Sequence, residues 1–232
     1  MLYILFQIII ILYIVLSIYS IIEIQKYNKN GFINDLSNDK KNVKYEISLL
    51  NPIIINYNNI IDFDYLMKNH ANLLIEDNNT IISLKKIPDL ENIHIFKNCC
   101  MLKETNLIEI INFDLSIFEI YPIPILLYKQ HTLSIFKGYN ITPLQSCKHN
   151  VNLIYILEGN LTIYLFNPKH KDVILNKDLN SLKKYSHKYI LNKGNVLIIP
   201  PNWYYIQESH DFVLHYNIDA SNIFSIHYNY LR

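Results

Sequence analysis

A chain of 232 residues, half of them hydrophobic, is long enough to bury one sizeable core and carry a short additional segment. Its net charge of +1 lacks the basic footprint of a nucleic-acid-binding protein and calls for no acidic partner. Cys99, Cys100 and Cys147 form neither a disulfide framework nor a spaced zinc motif, so they read as reduced thiols.

Residues 1–22, MLYILFQIIIILYIVLSIYSII, carry no charged side chain; Glu23 is the first. As a helix they span about 33 Å, enough for a hydrocarbon core of about 30 Å, and the run is too long for a strand. A cleaved signal peptide needs a basic start and a small-residue cleavage site. No Lys or Arg precedes the run, and SIYSIIEIQ offers no such site. Residues 1–24 therefore read as a transmembrane anchor. Lys26, Lys29, Lys40, Lys41 and Lys44 follow it, so the positive-inside rule predicts a single-pass membrane protein with a cytosolic C-terminal body. Sequons at Asn78, Asn140 and Asn160 are expected by chance in so Asn-rich a chain. Residues 25–44 are polar, contain Gly31 and read as a flexible tether to a folded body over 45–232.

In the body, Pro52 breaks an apolar run and predicts a strand over the following IIINY. DFDYLMKNHANLL sets Phe63, Leu66, Met67, Leu73 and Leu74 behind Asp62 and Asp64, which predicts one amphipathic helix. Residues 104–120 place Leu107, Ile108, Ile111, Leu115 and Phe118 on one helical face, with a strand as the alternative. Beyond Pro124 the segments LSIFKGYN, NLIYILEGNLTIYLFNP, YILNKGNVLIIPP and FVLHYNI read as strands with short polar breaks. Glu158-Gly159-Asn160 predicts a hairpin turn, and Asn192–Asn195 repeats the design before a proline stop. Together these predict a mainly β domain with flanking helices, a small double-sheet barrel. Residues 167–189 interrupt it; six lysines against Asp172 and Asp178 predict a solvated loop, with His170 and His187 facing water.

Several of these pieces, in this order, resemble the cupin-like JmjC group, the double-stranded β-helix of iron- and 2-oxoglutarate-dependent hydroxylases and demethylases. NPIIINY and DYLMKNH look like the group's opening strand and helix, and GYNITPL like the approach to its metal site. Asn152 precedes Gly159 as an asparagine precedes the turn glycine there, and NKGNVLIIPPNW resembles its Gly-Asp-x-Leu-x-x-Pro-x-x-Trp segment with Asn195 for the aspartate. The resemblance covers roughly residues 45–220 and implies a cupin jelly roll behind the transmembrane helix. Within it the prolines at 200 and 201 end a strand because neither can donate to the ladder. Trp203 then caps the core.

The resemblance also implies where a metal would be held. Two imidazoles and a carboxylate are required, and the matching positions here are Gln145, Cys147 and Tyr205. The lysine that holds the cosubstrate carboxylate is matched by Leu161; Thr142 and Asn152 alone keep a type suited to a residual cosubstrate pocket. Gln is a weak neutral donor, Cys is soft, and Tyr must lose a proton with a pKa near 10. His149, His210 and His215 are the alternative imidazoles from which a metal site would have to be rebuilt. These residues imply a catalytically inactive, membrane-anchored binding or structural module, with no catalytic residue, metal or other cofactor expected. The competing reading is a divergent metal-dependent oxygenase using iron(II) and 2-oxoglutarate. Partners on the first reading are the membrane through residues 1–24 and a protein, but no nucleic acid, while the basic stretch 167–189 is a candidate contact for anionic lipid headgroups.

Overall fold

The computed structural model describes residues 2–25, 34–36, 43–57, 63–72, 74–77, 80–89, 94–97, 128–175 and 178–221. The N-terminal helix α1, Leu2–Gln25, holds the apolar stretch Tyr3–Ile22, long and apolar enough to cross a membrane. Phe6, Ile11 and Tyr19 along it are all exposed.

The body is built from strands in two sheets. In chain order they are β1 Asn34–Asp35, β2 Ile53–Asn56, β3 Leu74–Asp77, β4 Thr80–Ser83, β5 His94–Lys97 and β6 Tyr128–Phe136. There follow β7 Asn140–Ile141, β8 Gln145–Ser146, β9 Val151–Glu158, β10 Asn160–Phe166, β11 His187–Asn192, β12 Asn195–Ile199, β13 Tyr204–Ser209 and β14 Val213–Ser221. The larger sheet runs β1-β2-β12-β9-β14-β6-β5-β3-β4; the smaller runs β11-β10-β13-β7, with β8 also on β13. Apart from the parallel pair β1–β2, the ladders are antiparallel.

Neither predicted hairpin forms. β9 pairs with β12 and β14, while β10 pairs with β11 and β13 in the opposite sheet. The Glu158-Gly159-Asn160 turn is thus an arch from one sheet to the other, and the turn before Asn195 does the same between β11 and β12. Gly159 sits at φ +79, and a Cβ there would lie 2.0 Å from the Phe212 carbonyl oxygen, so only glycine makes this close crossing. A glycine turn between alternating apolar segments is the same local signal in a hairpin and in an arch. The difference lies in which neighbour completes each ladder.

The arches create an inner core between the sheets, where Ile154, Ile156, Leu161, Ile163, Leu197 and Trp203 meet. On the outer face of the larger sheet, Leu153, Tyr155 and Leu157 pack with Ile47 of helix α2 (Val43–Ser48) and Leu66 of helix α3 (Phe63–His70). β9 is therefore buried on both sides, which its continuous apolar run allows.

Three further expectations change. The helix predicted through Leu74 stops at His70: Ala71 gives its carbonyl to the Lys85 amide at 2.8 Å, and Leu74 opens β3. The predicted tether contributes β1, which pairs in parallel with β2, and the start of α2. The basic stretch is not a solvated loop. Helices Lys171–Leu175 and Leu179–Lys183 bury Ile174 and Leu182 against Tyr164, Phe166 and Ile206 on the outer face of the smaller sheet. His187 opens β11 and faces outward, as expected, while His170 is half-buried. The helix predicted over 104–120 lies outside the described residues.

Candidate functional site

β12 ends at Ile199, and buried Pro200 and Pro201 turn the chain out of the sheet. Asn202 takes φ 68, a left-handed conformation that asparagine tolerates, and Trp203 drops wholly into the inner core. This turn clasps the residue that follows β8: Cys147 donates its amide to Trp203 O, and Asn202 donates to Cys147 O, both at 2.9 Å. β13 then starts alongside β8, with Tyr205 directly opposite Gln145. Cross-strand partners share a face, so Gln145, Cys147 and Tyr205 stand together at one end of the inner core.

These three do not fit an iron(II) site. The Cys147 thiol faces the carbonyl oxygens of Ile199 at 3.5 Å and His149 at 3.6 Å, so its proton is engaged. Burial and the nearby charge of Asp219 push that thiol well above its ordinary range. Burial, Asp219 and Cys147 do the same to the Tyr205 phenol. Both side chains stay protonated, and Gln145 supplies no charge. Among the described residues, no group of three or more His, Cys, Asp or Glu is placed to hold a metal ion.

The remaining sequence-predicted residues are spread over the barrel. Thr142 bonds Gln207 twice, its hydroxyl oxygen accepting from the Gln207 amide at 2.9 Å, and so serves the β7–β13 seam. Leu161 is fully buried in the inner core. His210 is exposed and lies against the Tyr139 ring at 5.4 Å. His215 is fully buried, with Nδ1 3.1 Å from Asn217 Oδ1 and its ring edge-on to Phe136. Burial lowers its pKa to about 4, so the ring is neutral at pH 7. His149 meets Ser221 at 2.9 Å, and Ser221 lies six positions beyond His215 on β14. Six strand residues span about 20 Å, so the imidazoles are not gathered around one point.

One participant was missed by sequence reasoning. Asp219 faces into the barrel beside Asn152, its partner across the β9–β14 ladder, and accepts a 2.5 Å hydrogen bond from Asn152 Nδ2. Burial raises its pKa, with His149 and Asn152 pulling it back part of the way. It belongs to an inward row, His215, Asn217, Asp219 and Ser221, that alternates with outer-core Leu214, Tyr216, Ile218 and Ala220. In sequence, that period-two polarity reads as an ordinary solvent face. Exposure along the row is uneven: His215 and Ser221 are sealed, whereas Asn217 and Asp219 between them are half-buried.

No protein-family model matches the chain. No curated protein matches it either. The solved structures that resemble it in part include cupin domains. A cupin superfamily protein from Desulfitobacterium hafniense shares 15% identity at a TM-score of 0.31, over 40% of this chain and 68% of that one. The Schizosaccharomyces pombe Cnp3 cupin domain shares 15% at 0.32, over 44% and 63%. The Drosophila melanogaster CENP-C cupin domain shares 15% at 0.29, over 39% and 59%. Each overlap takes in less than half of this chain.

Proposed function

We propose that this protein is a membrane-anchored, cupin-like binding or structural module whose JmjC-like metal-ligand positions have been given up. The observation that carries the reading is the trio Gln145, Cys147 and Tyr205: two protonated side chains and a neutral amide at one end of the inner core. An iron(II) oxygenase needs imidazoles and a carboxylate there, and Leu161 leaves the cosubstrate's carboxylates without a cation. The apolar Tyr3–Ile22 helix supports the anchor, and the lysines that follow it support a cytosolic body.

The test uses the full chain purified in detergent micelles. With iron(II) and 2-oxoglutarate supplied, we expect neither stoichiometric iron retention nor succinate formation. Iron retained at one equivalent, with turnover of 2-oxoglutarate, would restore the oxygenase reading.

A further inference from the structure

We propose that the basic, partly apolar surface over residues 171–190, on the outer face of the smaller sheet, docks on an anionic lipid bilayer, the membrane that holds α1. The inference rests on the reading of α1 as an anchor and gives the body a second contact of its own with that membrane.

The fold assembles this surface. Lys188 pairs with Tyr164 across the β10–β11 ladder, and Ile190 pairs with Thr162. Both therefore stand on the sheet face over which the helices Lys171–Leu175 and Leu179–Lys183 pack. The Tyr164 ring marks the junction of helix and strand: Lys183 Nζ lies 4.7 Å from its centroid and Lys188 Nζ 6.0 Å. Lys184 and Tyr185 continue from that helix end, and both are exposed. Lys171 and Leu175, four positions apart on the neighbouring helix, are exposed as well, while Ile174 is buried against the sheet.

Three features select a bilayer. Six lysines stand within 167–189 against Asp172 and Asp178, and Glu208 beneath them is already shared by Tyr164 and Lys183. Among those lysines, Leu175, Tyr185 and Ile190 are 57%, 45% and 58% exposed. A nucleic acid or an acidic peptide answers the charge but not the two exposed aliphatic side chains. The boundary between headgroups and acyl chains answers both, since apolar groups and the tyrosine ring enter it while ammonium groups stay at the phosphates. Position is the third feature. Asn34 opens β1 nine residues after Gln25 ends α1, a reach of about 30 Å at most. Burial, and then the charge of Asp35 on β1, raise the pKa of Tyr189, which lies between Lys188 and Ile190 along β11. The anchor thus delivers the chain to the flank of the barrel that carries the basic surface, and so short a link keeps headgroups at high local concentration. In the cytosolic orientation the facing leaflet is the anionic one.

The experiment places the full chain in nanodiscs of phosphatidylcholine alone or with about 30% phosphatidylserine, and reads amide hydrogen exchange over 178–190. We expect exchange to be at least about fivefold slower in the phosphatidylserine discs, the effect of roughly one lysine at an anionic surface, and the difference to vanish at high salt. Lys184→Glu combined with Lys188→Glu should abolish the slowing, and Leu175→Ser combined with Ile190→Ser should reduce it severalfold. Lys68→Glu, on α3 over the other sheet, should leave it unchanged. Near-ultraviolet circular dichroism verifies that each variant keeps its barrel. Equal exchange in the two discs, or slowing that survives the double charge reversal, overturns the proposal, as does equal slowing by single-stranded RNA added to phosphatidylcholine discs. If the chain co-elutes with both discs, such a failure leaves the anchor reading standing; a chain that stays out of both sinks the anchor reading and this inference with it.

Discussion

β9 and β14 are neighbours in one sheet, paired residue by residue, and both lie between the same two layers. Their outward faces are alike: Leu153, Tyr155 and Leu157 on one, Leu214, Tyr216 and Ile218 on the other. Their inward faces are not. β9 offers Ile154 and Ile156, while β14 offers His215, Asn217 and Asp219. Burying polar groups costs free energy unless each is hydrogen-bonded, and His215 Nε2 and Asn152 Oδ1 have no partner at all. The contrast teaches that β9, whose inward polar residue is Asn152, is shaped mainly for packing, whereas β14 carries a row of polar groups that packing does not explain.

The sharpest way to break the comparison is to exchange the two characters. Ile154→Asn places an amide in the apolar part of the inner core and should cost about 3–4 kcal/mol, read as a lower thermal midpoint of the full chain in micelles. Asn217→Val, one ladder step across, should cost less, about 1–2 kcal/mol, because it removes the amide's contacts with His215 Nδ1 and the Ser134 hydroxyl but leaves the apolar core intact. Equal losses at both sites would erase the distinction.

Acid should single out His215. His215 is depressed from 6.5 to about 4 by burial, so the folded chain takes up its proton later than the unfolded chain. Stability from this residue is complete above pH 6.5 and falls as the pH drops toward 4, by about 3 kcal/mol in all. Denaturant midpoints from pH 7 to pH 4 should show the decline in the parent and a flatter profile in His215→Gln.

The smallest effect belongs outside the barrel, where Tyr164 and Lys183 both hydrogen-bond Glu208, at 2.6 and 3.0 Å. Burial would raise the Glu208 pKa, but those two donors outweigh it and hold the carboxyl below its usual value. The pair ties the helix Leu179–Lys183 to β13, and Lys183 is partly solvated, so Lys183→Ala should cost under about 1 kcal/mol. Limited proteolysis should cut the variant faster within 171–186 while the barrel strands stay protected.

Local pattern was a good guide to elements and a poor one to their neighbours. Pro52 before IIIN, the apolar β9 run and the prolines after Ile199 marked strand starts and stops, because those effects act within a few residues. The lysines of 167–189 masked Ile174 and Leu182, whose burial depends on a sheet face that only the fold supplies. Asp219 went unnoticed because a polar residue at every second position looks the same whether it faces water or a barrel interior.

The sequence by itself determined an apolar N-terminal helix and a strand-rich body, since length and periodicity settle both. Only the tertiary structure decided that successive strands cross between sheets rather than pair, and that Cys147 and Tyr205 come together near Asp219. Ladder partners and electrostatic neighbours are set by contacts between residues far apart along the chain, such as Asn152 with Asp219, and no local signal encodes them.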